Sequence, residues 1–426
     1  MSSPVPNILA EETTLAWLSQ FDIRDQERAA KLVSRFLLVS HDEFHDNLRA
    51  LLTARARVHP GPVALYAERE LPKRFGVANR LFKEPNRKVK RAVGIGPQPV
   101  KPTRGYDPDV GSEGLVAQLI TELCRTDPNK YINHPGPDEI RRKKVRCFLL
   151  VTDLVGSGRR ARTYLEAAWR VRSVRSWWSL RLMRFEVVAY ATTDRGRTLV
   201  ERHPSAPKLS HVVPCPTIDT VFARPDATSM KNLCIHYDST SRDVDESLGV
   251  GGLGTLIAFA HGVPNNAPRI FHKAGTRWTP LFPARVTSSI PSKHFGTKTT
   301  ADAIRTRLGE LRHRALARGA WLDVASNETR KAFLVMAATS RPPHTDEMLA
   351  IRTGLTVIEI EDVCRSLIDL GWMTDSRRLT DAGYGQLRHA AGTEGNNMDL
   401  QAGTMVKSAE PAYYPQSLRS PAEKSR

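Results

Sequence analysis

The 426-residue chain is poor in the features that would fix a simple reading. Its five cysteines, Cys124, Cys147, Cys215, Cys234 and Cys364, form no C-x-x-C pair. No zinc ribbon or disulfide framework follows from them, and a reducing cytoplasm suits such a chain. No apolar run reaches the roughly 18 residues of a membrane span. The opening MSSPVPNILAEETTLAW has no basic stretch before an apolar core, so no secretory signal is expected. His134, His203, His261 and His344 are scattered, without metal-ligand spacing, so no protein metal site is assigned. No G-x-S-x-G nucleophile turn occurs. Acid is also scarce: 45 Asp and Glu stand against 63 Lys and Arg, leaving a formal charge of +18. That balance points to a polyanionic partner, nucleic acid or phosphates in a pocket, or else to a generic basic surface.

What is present divides into stretches of different period. Residues 12–58 place Leu15, Leu18, Phe21, Ala29, Leu32, Val33 and Phe36 at mostly helical spacing. Ser40 with Glu43 forms a capping box for the next helix. From about 60 to 300, short apolar runs alternate with polar helical segments. The runs are 62–68, 145–153, 184–193, 231–237 and 253–261. Unbroken apolar runs read as strands of a buried parallel sheet. A Pro-, Gly- and Lys/Arg-rich loop fills 85–109. Residues 301–319 read as one basic amphipathic helix. Beyond it comes the order of a winged helix-turn-helix, with TDEMLAIRTGL and TVIEIEDVCRSLIDLGWM as its second and third helices and WMTDSRRLTDAG as a wing. The expected divisions are a helical layer at 1–60, an α/β domain at 61–300, a linker helix at 301–320, a winged helix at 321–392 and a flexible tail at 393–426.

The stretch CFLLVTDLVGSGRRARTYLEAAW, 147–169, concentrates the chemistry. A buried strand is read as ending at the carboxylate Asp153. Gly156, Ser157 and Gly158 then turn into a helix carrying Arg159, Arg160 and Arg162. Glycines let backbone N–H groups approach an anion, and a helix start adds positive potential. Asp153, at the carboxyl end of a strand, can accept from ribose hydroxyls or hold magnesium through water. The bland alternative is a tight strand-to-helix turn.

LLVTDLVGSGRR resembles the phosphoribosyl pyrophosphate loop of type I phosphoribosyltransferases. There, two acids bind the ribose hydroxyls and a small-residue run cradles the 5′-phosphate. Asp153, Ser157 and Gly158 match that pattern, whereas Thr152 replaces the first acid and Arg160 the final Thr. AWLSQFDIRDQERAAKLVSRFLLVS, GSEGLVAQLITEL, DLVGSG and HGVPNNAPRIFHKAGTRWTPLFPAR occur in an order that resembles a divergent phosphoribosyltransferase-like group. That group belongs to prokaryotic conflict and antiviral systems, including some retron loci, and is often joined to a winged helix. The resemblance spans roughly residues 15 to 390. It implies an α/β fold with a type I phosphoribosyltransferase-like parallel sheet, an N-terminal helical layer and a C-terminal winged helix-turn-helix. It implies a phosphoribosyl pyrophosphate or nucleotide ligand with Mg2+, and glycosyltransferase chemistry if the site turns over. Thr152 in place of an acid instead favours a sensor that holds its ligand without chemistry.

The remaining candidates are weaker. Gly111 and Ser112 precede a helix and either cap it or contact pyrophosphate. Asn265 and Asn266 either fix a turn or read a base edge. Trp169, Trp177 and Trp178, interleaved with arginine, either pack inside or stack on single-stranded nucleic acid. Arg365, Arg377 and Arg378 are the phosphate contacts expected of a winged helix on nucleic acid, whether DNA or structured RNA/DNA. A ribonucleoprotein partner, such as a reverse transcriptase, fits the same basic surface. The catalytic residue expected is Asp153. The ligand contacts expected are Thr152, Gly156, Ser157, Gly158, Arg159 and Arg160, together with Gly111, Ser112, Asn265 and Asn266.

Overall fold

A computed structural model describes residues 8–85, 91–98, 112–241, 243–296 and 300–392. Two helices open the chain, α1 (Glu12–Leu18) and α2 (Ile23–Val33), followed by a short strand, β1 (Leu37–Val39), and α3 (His41–Arg57). The Ser40–Glu43 capping box starts α3 as the sequence predicts. Next come β2 (Val63–Ala67) and a small hairpin of β3 (Lys73–Arg74) and β4 (Val77–Ala78). Then α4 (Ser112–Thr126), β5 (Tyr131–Asn133), α5 (Pro137–Arg142) and β6 (Cys147–Val155) lead to the central strand.

The main sheet continues through α6 (Arg159–Trp169), α7 (Arg172–Ser179), β7 (Arg184–Thr192), α8 (Asp194–Glu201) and β8 (Lys208–Pro214). Its five strands are parallel in the order β5-β2-β6-β7-β8. Alternate residues of the apolar runs serve opposite faces. Val63, Leu65, Leu149 and Val151 pack under α3 and α4, while Ala64, Tyr66, Phe148 and Leu150 pack under α6 and α7. Both faces are covered, which is why the runs are unbroken. The chain leaves β2 toward β5 and returns to β6 on its other side. The β2–β6 crevice at the strands' carboxyl ends is therefore the topological switch point, where ligands of open α/β sheets bind.

Three expectations need correction here. Residues 231–237 are not a strand but the end of α10 (Arg224–Tyr237), which follows the short helix α9 (Ile218–Val221). Ala227, Met230, Leu233 and Cys234 give it one buried helical face. A short apolar run cannot by itself separate a buried strand from a buried helix. Of 253–261 only β9 (Ile257–Phe259) is strand, preceded by α11 (Val244–Ser247), and it pairs with β1 outside the main sheet. Strand β6 also runs two residues past Asp153. The N-terminal helices α1 and α2 share a separate core with α10 and with Leu256 to Phe295, where Trp17 stacks on Phe271 at 5.0 Å.

Beyond residue 300 the expected single helix breaks into α12 (Ala301–Glu310) and α13 (Arg314–Arg318), with Arg312 at φ +67° between them. A short α14 (Trp321–Val324) leads to α15 (Asn327–Ala338), α16 (Asp346–Thr353), α17 (Val357–Asp369) and α18 (Asp381–Gly392). A bridge between Met373 and Leu379 marks the wing. These helices share their own core. They also rest on the sheet: Arg197 meets Glu347 at 3.3 Å, and Ile358 packs against the core under α3. The edge strand β8 is thereby covered. Of the 85–109 loop, residues 91–98 are anchored through Ala92 to Ser173 and through Gly94 to Asp138. The expected tail at 393–426 and the rest of that loop lie outside the described residues. Among the described residues, no helix is long and apolar enough to cross a membrane.

Candidate functional site

Two carboxylates converge at the β2–β6 crevice. Glu68 directly follows β2, and Asp153 lies near the end of β6. Thr152 stands between them: its buried hydroxyl donates to Glu68 Oε2 at 2.7 Å and lies 3.2 Å from Asp153 Oδ1. The acid absent from position 152 is thus supplied in space by the neighbouring strand. Burial pushes Glu68 up to about 7; Arg160 and Thr152 offset part of that, and Asp153 adds to it. Asp153 goes the other way. Burial raises it, but His261, Ser112 and Arg160 outweigh burial and hold it at about 2. Adjacent carboxyl groups driven apart in this manner are a mark of sites that handle protons or cations.

His261 follows β9 and stacks on Phe259 at 4.9 Å, with Phe44 edge-on at 5.0 Å. Its Nε2 lies 4.0 Å from Asp153 Oδ2, an ion-pair distance too long for a hydrogen bond. Both ring nitrogens are buried with no protein hydrogen-bond partner. Such groups are rare in a folded chain, and here Nε2 lies beside the Asp153 carboxylate. Arg160 closes one side, 3.7 Å from Glu68 and 3.2 Å from Glu113.

The turn after β6 is shaped by close backbone approach. A Cβ on Gly156 would lie 2.4 Å from the Asn266 side-chain oxygen, and one on Gly158 would lie 2.6 Å from the Gly196 carbonyl. Gly158 also sits at φ +72°, where a side chain is strained. Helix α6 starts at the next residue. Among the described backbone hydrogen bonds, none uses the N–H of Gly156, Ser157, Gly158, Arg159, Arg160 or Ala161. Their free donors and the helix dipole leave positive potential at this turn. Ser157 is half-buried and Arg159 is exposed beside it.

The other candidates separate. Ser112 begins α4 and helps lower the Asp153 carboxyl; Gly111 lies outside the described residues. Asn266 is buried against the turn, and its amide is committed to the Val250 carbonyl at 2.6 Å. Asn265 is exposed and lines a neighbouring cavity of about 400 Å³. Trp177 and Trp178 pack on the core, and the Trp178 N–H donates to Ser205. Arg365 pairs with Asp362 and Arg377 with Asp346, both at 3.0 Å, whereas Arg378 is exposed. The free face of α17 carries Glu361, Asp362 and Asp369 against the single Arg365. That sign balance repels phosphate.

One further cluster has donors that converge like metal ligands, namely His59, Cys147 and Glu186. It lies at the amino ends of β6 and β7, away from the crevice. Arg55 already holds Glu186 through two hydrogen bonds, of 2.9 and 2.7 Å. A fixed guanidinium there opposes a cation, and the group reads as a buried ion-pair network. Glu68 is not among the site residues the sequence points to, and His261 figures there only among histidines without metal-ligand spacing. The signal for them existed, since each ends an apolar run as Asp153 does.

No curated protein and no solved structure matches the chain significantly. Two family sequence models do match. One, described as wHTH-PRTase associated, covers residues 333–420 and agrees with the helix order seen there. The other covers residues 14–284, more than half of the chain, taking in the sheet, the Asp153 turn and His261; the chain belongs to the family it describes, PRTase-CE.

Proposed function

We propose that the β2–β6 crevice binds phosphoribosyl pyrophosphate or a nucleotide, and that the protein is an effector of a prokaryotic antiviral defence system of the retron kind, acting in the cytoplasm. The observation that carries the ligand is the pairing of Asp153 and Glu68 with six unbonded amides from Gly156 to Ala161. In this reading the amides receive the 5′-phosphate and Asp153 accepts from the ribose hydroxyls. The oxygens of Asp153, Glu68 and Thr152 suit Mg2+, which when bound would offset charge on a departing pyrophosphate. His261, beside Asp153 and free at both nitrogens, is placed to hold or move a proton there.

The defence context rests on the resemblance and on the company of a winged helix. We extend the reading to a nucleic-acid partner, DNA or the structured RNA/DNA of a reverse-transcriptase complex. The +18 charge supports it. The paired arginines and acidic face of α17 direct that contact to Arg378 and the basic surface of α6 and α7. The rival reading, a DNA-binding sensor without chemistry, drew on the missing acid at Thr152, and Glu68 weakens that ground.

The test is calorimetric titration of the purified chain with phosphoribosyl pyrophosphate and Mg2+, followed by pyrophosphate-release assays. Binding that Asp153→Ala removes is the expected result. No binding with or without Mg2+ would refute the ligand. Binding without release, even with nucleotides and nucleic-acid ends offered as acceptors, would favour the sensor.

A further inference from the structure

A second cavity opens beside Asn265. It has a volume of about 400 Å³ and lies in the region that follows α11. That size is within the range of small-molecule sites, roughly 300–1,000 Å³. The backbone turn at Gly249 and Val250 forms one wall. The same turn continues to Gly251, where a Cβ would lie 3.4 Å from Ser157 Cβ, so its far end touches the turn after β6.

Its lining is cationic in a specific way. Arg269 is answered by Asp238 at 3.3 Å and Glu246 at 3.4 Å, and its guanidinium is braced on Thr240. Lys273 and Arg285 also line the cavity, and no acidic partner is found for either among the described residues. Two unmatched cations suit a phosphate monoester, which carries about 1.5 to 2 negative charges at neutral pH. Arg285 is held at φ +68° directly after Ala284 at φ +51°. Consecutive non-glycine residues in that conformation are costly, and such outliers cluster at ligand sites.

The rest of the lining can recognise more than a phosphate. His272 is buried, with Nε2 donating to the Ala267 carbonyl at 3.2 Å. Its Nδ1 is buried with no protein partner. Burial outweighs the Ala267 bond and, with Lys273, Arg285 and Arg269 close by, keeps the ring at about 4, hence neutral. His272 therefore adds no charge to the wall, and the exposed Asn265 amide offers both a donor and an acceptor. We infer that this cavity binds a nucleoside monophosphate, with Lys273 and Arg285 on the phosphate and Asn265 toward the nucleoside. The inference does not depend on the ligand proposed for the Asp153 cleft.

The experiment is calorimetric titration of the full chain with AMP and GMP, and in parallel with adenosine, guanosine and inorganic phosphate. At least one nucleotide should bind, and its nucleoside and free phosphate should each bind about tenfold more weakly or worse. Lys273→Met, at an exposed position, and Arg285→Met should each weaken the nucleotide about tenfold or more. Unchanged melting would confirm that both variants fold; if Arg285→Met does not, Lys273→Met alone decides. Asp153→Asn separates the two sites, and nucleotide affinity should stay within about twofold in that variant. The inference is overturned by an absence of nucleotide binding up to about 1 mM. It is equally overturned if phosphate binds as tightly as the nucleotide, if Lys273→Met changes nothing, or if Asp153→Asn removes the binding.

Discussion

Replacing Glu68 by Gln should stabilise the protein while damaging its site. Glu68 is buried, and its folded pKa is about 7 against an ordinary 4.5. The unfolded chain releases this proton near 4.5 and the folded one keeps it until about 7. Between those values the folded state binds more protons, so stability falls as pH rises. The shift of 2.5 units corresponds to about 3 kcal/mol, present in full as a penalty only above pH 7. Gln keeps an acceptor for the Thr152 hydroxyl and carries no charge. Differential scanning from pH 4.5 to 8.5 should show the two proteins melting together at the acid end. At pH 8 the sheet domain of the variant should melt roughly 5 °C higher or more. Magnesium should raise the melting temperature of the wild type at pH 8, where Glu68 is ionised, and should raise that of Glu68→Gln less. A gap that stays constant across the pH range, or a variant that melts lower at pH 8, would sink the argument.

The other predictions test the same cleft and the winged helix. Asp153→Asn should act in the opposite direction, because Asp153 is lowered from 3.8 to about 2; denaturation at pH 7 should show a loss of about 2 kcal/mol, and the gap should close as pH falls from about 4 toward 2. Gly158→Ala should cost roughly 1–3 kcal/mol from its left-handed backbone and should also weaken anion binding, read by melting and by phosphoribosyl pyrophosphate titration. If the chain binds nucleic acid, Arg378→Ala should reduce the slope of log affinity against log salt by about 1, whereas Arg365→Ala, already paired with Asp362, should leave it nearly unchanged. Equal effects of the two substitutions would show that the ion pair does not decide which arginine is available.

The sequence by itself determined the local pieces. The runs at 62–68, 145–153 and 184–193 are apolar on both sides of the pleat over most of their length, which reads as strands covered on both faces. Glycines at 156 and 158 before a helix start marked the tight turn into α6, because glycine alone takes the left-handed backbone of Gly158 without strain. Ser40 and Glu43 specified a helix start through bonds three residues apart. Residues 231–237 show the limit: seven apolar-rich residues carry too little period to separate helix from strand, and packing against α2 settled it. The composition of the site was likewise not a local property. Glu68 lies 84 residues before Thr152 in the chain, and its distance of 2.7 Å exists only because β2 and β6 pair in parallel register. His261 reaches Asp153 only because β9 pairs with β1 and carries that loop to the crevice. Arg365 and Arg377 look like free cations in the sequence, but folding sets an aspartate against each. Spacing along a chain reports contacts within a few residues, whereas the charge in a cleft is summed over strands and loops that only the tertiary fold brings together.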